Sequence, residues 1–290
     1  MNQPENLSLP FLAYGVFKPG QLSFLQIADC VAGIRPDLRI PGQLRLRDGL
    51  PIFDPEGAGQ FVRGSLIAFE EGKTELAYLR IAGLEPHHQY SWRVMKIGEN
   101  DANVLIGRSP KRGSSPCDEE WDGWTDPFFG PALEVVEETL RSNQGFDWDL
   151  KPLFRLQMAY LLLWSSIERY ASLRYGFGDE PMPKIKQLAT EAAFITGLSQ
   201  NVSEKRVVLR ADDFKNKRLL DPSHPDKSIQ YYYQVRANVT HRGKSVPVDH
   251  KTVFESLSEL LPIFRGMLAA ARKESEAIIC EATVMEKVPS

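Results

Sequence analysis

The spacing of apolar residues changes character part-way along the chain. In the first hundred residues the apolar runs are short and cut by turn residues. Residues 11–17 form one such run, ended by Lys18-Pro19-Gly20. They predict a buried strand and a turn, because proline fixes φ and glycine permits positive φ. Further strands are predicted over 39–46, 61–69 and 90–97, punctuated by Asp48-Gly49 and Asp54-Pro55-Glu56-Gly57. Over 61–69 the two-residue alternation is imperfect but fits a half-buried strand. Between these pieces, Leu22, Leu25, Ile27, Ala28 and Val31 predict an amphipathic helix over 21–32.

Beyond residue 130 the period becomes helical. Pro131 opens a predicted helix over 131–142. A long helix follows over 152–175, where Leu153, Leu156, Tyr160, Leu163, Ile167 and Tyr170 make a 3-4-3-4-3 stripe. Met158, Leu161, Leu162 and Trp164 widen that stripe almost all the way round, which suits a central helix or a subunit interface. A shorter helix is predicted over 184–196, then a mixed-charge stretch over 204–218 and a turn over 219–226. Asp226 caps a helix running to about residue 242, with Gly243 placed to end it. A last helix over 251–274 carries Phe254, Leu257, Leu261, Phe264, Leu268 and Ala271 on one stripe. The expected fold class is therefore α+β. A small, curved, β-barrel-like domain (1–108) is followed by a linker (109–130), an all-α helical bundle (131–275) and a tail (276–290). The boundary stretch over 107–127, GRSPKRGSSPCDEEWDGWTDP, is rich in Gly, Ser, Pro and charge. Its Trp121 and Trp124 read as rings docked on a domain before they read as a stacking platform.

Charge adds an asymmetry. Residues 1–150 hold 14 Lys and Arg against 22 Asp and Glu, while residues 151–290 hold 21 against 16. A polyanionic partner, if there is one, meets the second half; two ordinary solvated surfaces give the same numbers. No run reaches the ~18 apolar residues of a membrane span. The N-terminus lacks a basic-then-apolar leader, and Cys30, Cys117 and Cys280 lie far apart. A cytoplasmic protein without membrane, metal, cofactor or disulfide is the expectation. His87-His88 are adjacent, not three or four apart, which argues against a metal pair on one helix face.

Two stretches carry chemistry. In the first half, Tyr14-Gly15-Val16-Phe17-Lys18-Pro19-Gly20 resembles the glycine-rich opening of the γ-glutamylcyclotransferase (AIG2-like) superfamily. Pro41-Gly42-Gln43-Leu44 with Gly49-Leu50-Pro51, then Val62-Arg63-Gly64-Ser65-Leu66, then Leu84-Glu85 with Tyr90 follow in the family's order. The likeness covers residues 10–98. It implies that an α-amine attacks its own γ-glutamyl carbonyl, closing 5-oxoproline and releasing an amine. Glu85 would move the protons, and the loop of Tyr14, Gly15, Val16, Phe17, Lys18 and Gly20, with Tyr90, would bind a γ-glutamyl-like ligand. Val16 stands where the family has Thr or Ser, and Pro86 where Gly is common. An exposed loop carboxylate is the bland alternative for Glu85.

In the second half, Val235-Arg236-Ala237-Asn238-Val239-Thr240-His241-Arg242-Gly243-Lys244 resembles the Arg-x4-His signature of HEPN domains, helical bundles that include metal-independent ribonucleases. The likeness covers residues 150–273. It implies that Arg236 holds a phosphate and His241 moves protons, with Asn238 in support and Arg242 and Lys244 on the RNA backbone. Of the Tyr231, Tyr232 and Tyr233 rings, two read as core. A five-residue step separates two helical side chains by ~140°, so the resemblance implies a homodimer whose two motifs share a cleft. The alternative is a structural pair between Arg236 and Glu168, with His241 as a helix cap. Three functions follow. The first is an endoribonuclease tuned by a cyclotransferase-like sensor, in a toxin or phage-defence setting. The second is a γ-glutamyl-amine cyclotransferase with a helical dimerisation domain. The third is a non-catalytic RNA- or ligand-binding protein.

Overall fold

The structure, a computed structural model, describes residues 1–290 except 58, 86–87, 177–180, 211–214, 242–246 and 286–290. It also leaves out the side chains of 181, 241, 247–248 and 278–285. The chain is α+β. It divides into two compact units: Met1–Asp126 with Leu173–Asp179 and Ala271–Ser290, and Pro127–Ser172 with Glu180–Ala270. The 109–130 stretch is thus not a free linker, since its first eighteen residues belong to the β-rich unit.

The first unit begins with β1 (Phe11–Ala13), β2 (Val31–Pro41), β3 (Gln43–Arg47), β4 (Leu50–Asp54) and β5 (Phe61–Phe69). Helix α1 (Thr74–Leu84) leads to β6 (Tyr90–Ile97), β7 (Asn100–Gly107) and the short β8 (Ser115–Pro116). One sheet has the order β2-β5-β1-β7-β6, and a second has β4-β3-β8. Strand β1 is antiparallel to β5 and parallel to β7. These sheets are open, with no closed barrel among the described residues, which corrects the barrel-like expectation. Two short 3-10 turns, Leu22–Gln26 and Ala28–Cys30, replace the predicted helix, and β2 already begins at Val31. The strand predicted over 39–46 is two strands that part at Gly42, where φ is +142° and a side chain would strike the Phe53 ring.

Helix α1 buries Ala77, Tyr78 and Ile81. The Tyr78 hydroxyl donates to the Leu9 carbonyl (2.6 Å) and accepts from Asn103 Nδ2 (2.9 Å). Its ring meets Phe11 and Trp92 edge-on, an arrangement aromatic quadrupoles favour. This packing matters for function because it fixes the C-terminal end of α1, where Glu85 stands as the cap.

The second unit contains α2 (Gly130–Ser142), most of α3 (Lys151–Tyr175), α4 (Pro181–Leu188), α5 (Ala192–Asn201), α6 (Pro225–His241) and much of α7 (Pro247–Met285). Every residue of the predicted α3 stripe is at most 2% exposed. The widened flank is not uniformly covered: Trp164 is buried, whereas Met158 is 71% exposed. The bundle is not all-α. Strands β9 (Arg206–Leu209) and β10 (Lys217–Leu220) pair antiparallel within the stretch whose mixed charge hid them. Buried Val208 and Leu220 give the hairpin an inner face. The 184–196 helix is two helices, broken where Tyr170 donates to the Glu191 carboxylate (2.9 Å). A buried chain of hydrogen bonds ties the bundle together. Tyr160 donates to the Tyr232 carbonyl, Tyr232 to Glu259, and Arg206 also binds Glu259.

Candidate functional site

The first unit encloses a cavity where the end of α1 faces the loop after β1. Tyr14, Gly15, Val16, Phe17, Pro51, Glu85 and Tyr90 line it, with Phe11, Ala13 and Leu105 closing the apolar side. The space between atoms is about 250 Å³, of which about 10 Å³ is open to the centre of a water molecule. That is the room of about one water. Six of the residues singled out in the sequence, Tyr14, Gly15, Val16, Phe17, Glu85 and Tyr90, therefore share one cavity. Lys18 and Gly20 do not line it.

Each wall has a local cause. At Gly15 an added methyl would come within 2.5 Å of Pro51 Cγ, so only glycine lets the loop and β4 approach this closely. The loop then tightens as the Lys18 N–H donates to the Gly15 carbonyl (2.8 Å). The amides of Val16 and Phe17 donate to no acceptor among the described residues, which leaves two N–H groups at the cavity wall without a fixed partner. Tyr90 spends its hydroxyl on the Pro51 carbonyl (2.9 Å) and stands as a wall, not as a ligand hand. The Tyr14 ring packs against Phe53 at 5.5 Å.

Glu85 is the only acidic side chain on this wall. It is 8% exposed, so the reading as an exposed loop carboxylate fails. Its carboxyl makes no hydrogen bond or ion pair among the described residues. Burial alone pushes its pKa up to about 8, because a charge removed from water and given no partner favours its neutral form. Burial also holds the Tyr14 hydroxyl far above its ordinary value, with the Glu85 charge as a second cause.

Compared with protein-family models, with curated proteins and with solved structures, the chain finds no match.

The second motif is placed differently. Arg236 lies on α6 with its side chain 31% exposed, and its Nη2 stands 3.5 Å from Glu168 Oε1 on α3. Its guanidinium also lies over the Tyr233 ring, 5.5 Å from the centroid. Asn238 donates to the Leu209 carbonyl of β9 (2.7 Å) and accepts from Gln234 (3.0 Å). Its amide thus joins helix to hairpin. Tyr231 and Tyr232 are buried, and Tyr233 is half-buried. The His241 side chain, Arg242, Lys244, Gly243 and His87 lie outside the described residues. No group of three or more His, Cys, Asp or Glu that could hold a metal ion occurs among the described residues. No helix there is long and apolar enough to cross a membrane.

Sequence reasoning gave Pro51 no role, although it sits in the Gly49-Leu50-Pro51 stretch that carries part of the resemblance. Phe11 and Leu105 were out of reach, because parallel pairing of β1 with β7 is a long-range event with no local signal. Trp121 and Trp124 are docked on the first unit, as their reading as docked rings has it, but the loop and turn they hold have no local signal.

Proposed function

We propose that the first unit is a γ-glutamyl-amine cyclotransferase. One observation carries the reading: a buried carboxyl with no partner among the described residues, Glu85, shares a cavity with a glycine-bearing loop whose Val16 and Phe17 amides meet no acceptor there. A carboxylate whose pKa lies near the working pH exchanges protons efficiently with an ammonium group. Glu85 takes a proton from the substrate's α-ammonium. The freed amine attacks the γ-carbonyl carbon, forming the ring C–N bond. The oxyanion that develops is held by the Val16 and Phe17 amides. As the original C–N bond breaks, Glu85 returns its proton to the leaving nitrogen, then takes the surplus proton from the ring nitrogen and passes it to the departing amine, which leaves as an ammonium ion. The products are 5-oxoproline and a free amine, so no water, metal or redox partner enters the balance. The cavity walls part to admit the substrate, since the resting space holds about one water.

The test is direct. Purified protein is offered a panel of γ-glutamyl amines, dipeptides and isopeptides, and 5-oxoproline is followed by chromatography. Formation that disappears in Glu85→Gln supports the reading; a panel on which wild type forms none overturns it.

A second reading, metal-independent RNA cleavage by the helical unit, is favoured by the state of Arg236. Its side chain is about a third exposed, and its 3.5 Å pair with Glu168 is long and only partly covered, so it is weak, although the Glu168 Oε1 it faces is buried. Phosphate can then replace Glu168. The test is cleavage of RNA in EDTA by wild type beside Arg236→Ala and His241→Ala. Cleavage that persists unchanged in both variants would remove the motif from the chemistry.

A further inference from the structure

The 14–20 loop is held from its far side by residues 119–124. The Trp124 indole Nε1 donates to the Gly20 carbonyl (2.8 Å). The Gly123 amide donates to Gln21 Oε1 (2.9 Å), and Gln21 Nε2 reaches back to Asp122 (3.5 Å). Lys18 pairs with Glu120. Trp121, 7% exposed, donates to the Gly49 carbonyl (3.2 Å), which belongs to the turn that delivers Pro51. The segment therefore grips both the donor loop and the turn behind the opposite wall. It is itself anchored to the sheet, as the Arg63 amide donates to the Glu119 carbonyl (2.7 Å) and Arg39 pairs with the Glu119 carboxylate (2.7 Å).

The fit leaves little freedom. A methyl on Gly123 would stand 2.6 Å from the Trp121 ring and 2.8 Å from Gln21 Oε1. Gly20, with φ of +88°, turns the loop so that its carbonyl meets Trp124. Gln21 is buried, yet its amide is spent entirely on residues 122 and 123. A side-chain amide buried at a loop end satisfies the cost of its own burial only through these partners.

We propose that residues 119–124 form a strap that fixes the shape of the amide-bearing loop, with Trp124 and Gln21 as positioning residues. As a statement about catalysis this rests on the cyclotransferase reading. As a statement about the loop it stands alone. An oxyanion donor is useful only when it is already aimed, because reorganisation during the reaction cancels the gain. Trp124 and Gln21 touch neither the cavity nor a substrate in it. They act by denying the loop other conformations.

The experiment compares wild type, Trp124→Phe and Gln21→Ala by hydrogen exchange and by steady-state kinetics. Trp124→Phe keeps an aromatic ring, though a smaller one, and removes the donor, so it decides the matter if the buried Gln21→Ala variant fails to fold. The expected result is faster exchange, by about tenfold, of the loop's hydrogen-bonded amides, those of residues 18 and 21, with exchange in β5 and α1 unchanged. In the same variants kcat for 5-oxoproline falls about tenfold while KM stays within about twofold, a split that a general loss of stability would not produce. Unchanged exchange of those amides in Trp124→Phe overturns the strap. So does full kcat in a variant whose loop exchange has risen. A wild type that forms no 5-oxoproline overturns the cyclotransferase reading instead, and the exchange result then decides the strap by itself.

Discussion

Glu85 and Arg236 are each the charged residue on which a resemblance turns, and the fold treats them in opposite ways. Glu85 is buried without a partner among the described residues. Arg236 is about a third exposed, with a carboxylate and a ring for company. A buried, unpaired carboxyl works against folding. Its presence asks for a compensating role, and a cavity with free amides supplies one. A half-exposed ion pair costs little to make and little to break. It neither demands a function nor obstructs one. The contrast shows that the informative charge is the one the structure would be more stable without.

The largest effect expected from breaking this contrast is on catalysis. Glu85→Gln keeps the shape and removes the titrating group, so 5-oxoproline formation should fall by about 10²–10⁴-fold. In wild type, kcat should climb with pH and level off above about 8, where Glu85 is ionised. A loss of less than about threefold in the variant would take Glu85 out of the reaction. At the other site, Arg236→Ala should abolish RNA cleavage in EDTA by about 10²-fold or more while leaving the melting temperature almost untouched. A large fall in melting temperature with cleavage intact would reverse the assignment and make Arg236 structural.

Stability carries the next effect, and its sign follows from the raised pKa. Below about pH 4.5 the Glu85 carboxyl is neutral in folded and unfolded chains alike and costs nothing. Between about 4.5 and 8 only the unfolded chain releases its proton, so wild type loses stability as pH rises. Above about 8 the loss is complete, on the order of 5 kcal/mol. Urea melts of wild type and Glu85→Gln should coincide near pH 4 and diverge toward pH 8.5, with the variant the more stable. A difference that does not change with pH would mean that Glu85 is solvated. The smallest effect belongs to the ion pair. A double-mutant cycle on Arg236 and Glu168 should return a coupling of about 0.2–1 kcal/mol. A coupling several times larger would show a locked pair and count against phosphate binding there.

The parts of this picture that local sequence specifies were legible. Strands β5 and β6 and helices α2, α3 and α6 follow from alternation and stripe, although α6 starts at Pro225, which puts Asp226 inside its first turn and not at its cap. So did the grouping of Tyr14–Phe17 with Glu85 and Tyr90, through a resemblance spread over residues 10–98. What the sequence hid was decided at long range. Strand β2 contains Gly33 and Pro36, a register shift between Arg35 and Leu38, and Asp37 at φ +55°. Its own residues argue against a strand, and eight paired positions along β5 overrule them. Central strand β7 begins with polar Asn100-Asp101 and gains its burial from β1 and β6. The β9–β10 hairpin reads only as a mixed-charge stretch running into a turn, and its strands become evident once α6 covers its inner face. The burial of Glu85 belongs to the same class. A glutamate at a helix end is ordinarily solvated, and only the loop after β1 and the turn at Pro51 shut this one in.

The proton on Glu85 also alters what the folded molecule is. The formal net charge of −3 counts this carboxyl as ionised. With it neutral, the native protein carries −2 at pH 7, while the unfolded chain keeps −3. Folding near neutrality therefore draws almost one hydrogen ion out of solution. Refolding in two buffers of different ionisation enthalpy should then release different amounts of heat, the gap being that of about one proton. A calorimeter can thus see the candidate site fill with its first ligand before any substrate has been found.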